Sequence, residues 1–189
     1  MRTIRLFDSR SGLDFQDYDD AEGGALAQEA ARDSSLIIQI QSGYLKMTSA
    51  EFLIAVLTAF PSEMVFVENE MNTQSGKTAR QLIESEKPDD YSAYIGSYNS
   101  ENVRKIHSSF ADHRGWDCWL FGAFKERHLN KIKEAARLHG LLRLGERTDP
   151  HPTDYTIFIN EDMHEIYVTV FDSKLFDPFI DFADGLAFE

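Results

Sequence analysis

Gly76-Lys77-Thr78 is the tripeptide in this chain that comes nearest to phosphate chemistry, with a strand-like run before it and a helix-forming run after it. That is where a phosphate loop presents backbone N–H groups and a lysine. The full loop also needs a glycine five residues before Gly76, and Met71 stands there. Asp172 closes the apolar run from Tyr167 much as a magnesium-holding aspartate closes its strand. Together these features define one alternative, a phosphate- or nucleotide-handling enzyme; the simpler reading of Lys77 is an exposed helix start.

Other reactive residue types are present without the spacing that chemistry needs. The histidines stand at 107, 113, 128, 139, 151 and 164, and no two of them match a zinc signature. His107 and His113 fall on different sides of one predicted helix, and His139 reads as a half-buried core residue. Asp14, Asp17, Asp19 and Asp20 have the composition of a calcium loop, but Ala21 and Glu22 occupy the positions of a further ligand and the turn glycine. No metal or cofactor is expected. Cys118 lies between Trp116 and Trp119, where a cysteine serves as a small core residue. No Gly-x-Ser-x-Gly elbow occurs, and Asp177, just before Pro178, reads as a helix N-cap. No catalytic residue is assigned.

Aromatics interleaved with acids are more informative. Asp14, Asp17, Tyr18, Asp19, Asp20 and Glu22 form one such patch with Phe15, and Asp89, Asp90 and Tyr91 form another. Tyrosines anchor interfaces at low entropic cost, and clustered carboxylates steer a basic partner toward them. The formal charge of -13 points the same way, because it repels nucleic-acid phosphates and anionic lipid and favours a basic protein. That charge is uneven: residues 148–189 hold ten acids against one base, whereas residues 125–147 hold seven bases against three acids. The chain therefore has two electrostatic poles.

The elements that must position these residues follow from periodicity. Strands are expected at 3–7, 36–41, 64–68, 91–98, 116–124, 155–160 and 165–172, the last two joined by a tight turn at Glu161-Asp162 into an antiparallel hairpin. Between them come an alanine-rich helix ending near Asp33, a helix opened by the capping box Thr48-Ser49-Ala50-Glu51 and stopped by Pro61, and a helix over 77–85. Further helices run from Asn99 or Ser100 to about His113, over Leu129 to His139, and around Phe176, Phe179, Ile180 and Ala183. The capping-box helix is expected to bury Phe52, Val56, Ala59 and Phe60. Alternating strands and helices that close on a hairpin imply an α/β (mixed α+β) fold: a mixed β-sheet with packed helices, a C-terminal β-hairpin and a short last helix. At 189 residues and 42% hydrophobic, with no linker or repeat, the chain reads as one domain, 1–189. One cysteine excludes an intrachain disulfide, and there is no apolar segment of signal-peptide or membrane-spanning length, so the expected compartment is the cytoplasm.

In size, acidity and α/β make-up the whole chain resembles the small bacterial immunity proteins that neutralise polymorphic toxins by binding them. Over Asn130 to Phe182 the layout also looks similar to an uncharacterised bacterial domain family, which carries Tyr-Asp-Asp-Arg-Gly where this chain has Phe171-Asp172-Ser173-Lys174. The first resemblance implies a non-enzymatic, protein-binding inhibitor whose acidic surface meets a basic toxin or nuclease. The alternatives are the phosphate-handling enzyme and a structural subunit of a larger assembly.

Overall fold

The computed structural model describes residues 4–8, 13–14, 36–69, 93–111, 118–139, 151–160 and 164–187. Its centre is an eight-stranded sheet formed by β1 (Ile4–Asp8), β2 (Leu13–Asp14), β3 (Leu36–Gln41), β4 (Met64–Asn69), β5 (Ala93–Ser97), β6 (Cys118–Phe124), β7 (Tyr155–Asn160) and β8 (Glu165–Val170). The spatial order is β2-β1-β3-β8-β7-β6-β4-β5. The α/β class and the C-terminal hairpin followed by a helix are as read from the sequence. Every described pairing is antiparallel, so the parallel neighbours that a mixed sheet includes are absent from the described residues. Helical crossovers here return the chain to strands that run opposite to their neighbours, which periodicity cannot foresee.

Register sorts the side chains onto two faces. Leu36, Val170, Tyr155, Ala123 and Val65 lie side by side across five strands, as do Ile38, Val168, Ile157, Phe121 and Val67. All ten are buried. This first face is covered by α1 (Ser49–Ala59), α2 (Ser100–Ala111) and α4 (Phe176–Asp184), which contribute Phe52, Leu53, Val56, Val103, Ile106, Phe176 and Phe179 to one continuous core. Each such side chain stabilises the fold by about 1.5–3 kcal/mol when fully buried. On the opposite face, α3 (Leu129–His139) lowers Ile132 onto Phe66, Ile95, Leu120 and Phe124.

The capping box forms as expected: the Thr48 backbone N–H donates to Glu51 Oε2 at 2.7 Å, and the Glu51 N–H donates to Thr48 Oγ1 at 3.2 Å. The Thr48 N–H and, at 3.0 Å, the Thr48 hydroxyl both donate to the Glu51 carboxylate and lower its pKa below the usual value. The helix buries Ala50, Phe52, Leu53, Val56 and Leu57, and Ala59 is exposed rather than buried because the chain turns away at the Phe60 cap. Asn99 caps α2, its Oδ1 accepting from the Asn102 N–H at 2.8 Å. The tight turn placed at Glu161-Asp162 is longer than expected. Asn160 pairs with Glu165, leaving four residues between the strands, and His164 takes a left-handed φ of 54° to close it.

Two contacts of the core lead to tests. A Cβ on Gly122 would lie 2.2 Å from Phe66 Cζ, so the glycine is what lets the Phe66 ring lie across β6 beneath α3. Tyr155 donates its hydroxyl to the Phe60 carbonyl at 2.8 Å, while the buried Tyr98 hydroxyl has no hydrogen-bond partner among the described residues, and burial pushes its pKa up to about 12. Gly122→Ala is expected to cost about 1–3 kcal/mol by overpacking. A loss below about 0.5 kcal/mol in urea denaturation would show that Phe66 yields freely. Tyr155→Phe orphans a buried carbonyl and should cost about 1–2 kcal/mol, whereas Tyr98→Phe removes an unsatisfied hydroxyl and should be neutral or stabilising. Equal losses in the two variants would contradict this assignment of their hydrogen bonds.

Candidate partner-binding surface

The acidic C-terminal segment becomes a defined surface at α4. After β8 the Phe171 and Asp172 amides both donate to the Asp154 carbonyl, at 2.9 and 3.1 Å, and Asp172 Oδ1 accepts from the Lys174 amide at 3.0 Å. Asp172 thus N-caps the short 3-10 turn Ser173–Leu175 that leads into the helix. Asp177, read from sequence as an N-cap, instead lies inside the first turn, because α4 already begins at Phe176. Phe176, Phe179 and Ala183 face inward, and the remaining spacing leaves Asp177, Asp181 and Asp184 exposed at i, i+4 and i+7. Residues so spaced share one side of a helix, so the three carboxylates form a single stripe.

The helix that carries the stripe is held firmly. Phe179 stacks on Phe60 with ring centroids 3.7 Å apart, and Phe182 meets the edges of Phe52 and Phe60 at 6.1 and 5.6 Å. Its electrostatics are less favourable. A helix C-terminus carries partial negative charge, and the last turn of α4 holds Asp181 and Asp184 with no basic residue. The helix dipole therefore disfavours these two carboxylates and favours Asp177 in the first turn.

Beside the root of α4, Asp154 Oδ2 accepts from Ser62 Oγ at 2.7 Å and pairs with Lys125 Nζ at 3.3 Å. With its oxygen engaged twice and its backbone carbonyl anchoring Phe171 and Asp172, Asp154 ties together the ends of β6, β7 and β8. The Ser62 hydroxyl is a donor there, with the geometry of a staple rather than of an activated nucleophile. Nearby, desolvation and the adjacent Arg127 and Lys131 charges lower the His128 pKa, and Arg127 Nε donates to His128 Nε2 at 3.1 Å, a bond that needs the neutral ring.

Exposed charges of opposite sign stand on the two faces of the sheet, although Glu165 of the acidic segment lies on the second. Exposed Arg127 and Lys131 accompany α3 on the second face, and the α4 stripe lies on the first. On the second face, away from α3, a closed polar cluster joins β3 to β8: Gln39 Nε2 donates to Tyr167 Oη at 2.9 Å and to Glu165 Oε1 at 3.2 Å, and Tyr167 donates to Glu165 Oε2 at 2.8 Å.

Of the partner-binding residues read from sequence, Asp14 lies in β2, an outer strand, paired with Phe7. Asp17, Tyr18, Asp19, Asp20, Glu22, Asp89, Asp90 and Tyr91 lie outside the described residues, as do Gly76, Lys77 and Thr78. The two acid–aromatic patches nevertheless attach to opposite margins of the sheet, one at β2 and the other two residues before β5. Seven strand spacings separate β2 from β5 by roughly 30 Å. The α4 stripe was missed from sequence, although the burial of Phe176, Phe179 and Ala183 on a helix implies it.

Among the described residues there is no group of three or more histidine, cysteine, aspartate or glutamate side chains able to hold a metal, and no helix is long and apolar enough to cross a membrane. Comparisons with protein-family models, curated proteins and solved structures find no match.

Replacing Asp181 and Asp184 together by asparagine is expected to raise Tm by about 1–4 °C at low ionic strength, with the gain shrinking in about 0.5 M salt, where the Debye length is roughly 4 Å. A lower Tm would mean that the carboxylates serve the helix instead of opposing it. Because the folded state holds the His128 pKa down, the stability linked to its neutral ring is fully present above the unfolded value near 6.5 and is lost as pH falls through it. His128→Gln should therefore flatten the decline in Tm between about pH 7.5 and 5.5 by an amount on the order of 1–2 °C. An unchanged slope would assign that decline to other groups.

Proposed function

We propose that this chain is a non-enzymatic, protein-binding inhibitor of the immunity-protein or antitoxin kind, which neutralises a basic toxin or nuclease in the cytoplasm through an acidic surface. One observation carries the reading: Asp177, Asp181 and Asp184 form an exposed stripe on a firmly packed helix, and two of them sit where the helix dipole opposes them. Carboxylates fixed on a rigid helix can occupy the cationic sites that phosphates occupy on a nuclease, and the formal charge of -13 accelerates approach of a basic partner.

The acid–aromatic patches read from sequence, Asp14 to Glu22 and Asp89 to Tyr91, carry the same chemistry. The phosphate-handling alternative gains nothing from Asp172, whose carboxylate caps a turn.

Affinity capture from the source lysate at about 50 mM and 300 mM salt, with the unmodified chain and with Asp177, Asp181 and Asp184 all changed to asparagine, tests the proposal. One basic protein should be retained stoichiometrically by the unmodified chain at low salt, released at high salt, and retained at least roughly tenfold less by the variant, a loss of about 1.4 kcal/mol. Equal retention by both chains would remove α4 from the interface. If the retained protein's toxic activity persisted in the complex, the inhibitor reading itself would fall.

A further inference from the structure

We draw no further inference here: the strongest candidate, the hydrogen-bonded cluster of Gln39, Glu165 and Tyr167 on the sheet face away from α3, has Gln39 buried at its centre, and nothing in the structure shows what covers it.

Discussion

Because side chains alternate between the faces of a strand, the antiparallel register that runs from β3 through β8, β7 and β6 to β4 decides both faces of the sheet at once. Aligning Leu36 with Val170, Tyr155, Ala123 and Val65 puts the aliphatic and aromatic residues of five strands under α1, α2 and α4. The same alignment sends Gln39, Tyr167 and Glu165 to the other side, where they satisfy one another. A slip of one residue in any strand would exchange the two sets, burying polar groups and exposing apolar ones. Gly122 adds a steric condition, since it is the gap that admits the Phe66 ring and so seats α3.

Much of this framework was legible because it is written in local chemistry. The bounds of β3 and β7 follow from β-branched alternation, and the Thr48 capping box and the Asn99 cap are side-chain-to-backbone bonds within four residues of sequence. What stayed hidden depends on partners distant in the chain. Uniformly antiparallel pairing is a property of topology, and the contact of Gly122 with Phe66 joins residues 56 positions apart. Ala59 has the apolar character of a core residue, but its exposure follows from where Pro61 turns the chain. Asp177 before Pro178 satisfies the local pattern of a cap, and only the hydrogen bonds to the Asp154 carbonyl and to the Asp172 carboxylate show the chain turning several residues earlier.

The candidate surface was half legible for the same reason. A count of charge located the acidic C-terminal segment, and the apolar spacing of Phe176, Phe179 and Ala183 defined the buried side of α4. Their complement is the stripe of Asp177, Asp181 and Asp184, which no motif would flag because aspartates on the outside of a helix are ordinary. What makes these three distinctive is their relation to the helix axis. A carboxylate in the first turn is stabilised by the dipole, one in the last turn is not, and α4 lacks the lysine or arginine that commonly closes a helix.

The separation of Arg127 and Lys131 from the α4 stripe also changes what net charge can accomplish. At physiological ionic strength the charge of -13 is screened beyond about 8 Å, so at distance a basic partner is drawn without being oriented. Within that distance the faces differ: the second presents Arg127 and Lys131 together with exposed Glu126 and Glu134, while α4 presents Asp177, Asp181 and Asp184 on its exposed stripe. On the proposed reading, the stripe gives a diffuse negative charge a preferred orientation toward a basic partner. Phe179 stacked on Phe60 and Tyr155 bonded to the Phe60 carbonyl fix that orientation relative to the sheet. The packing that buries one side of α4 is therefore also what aims the other.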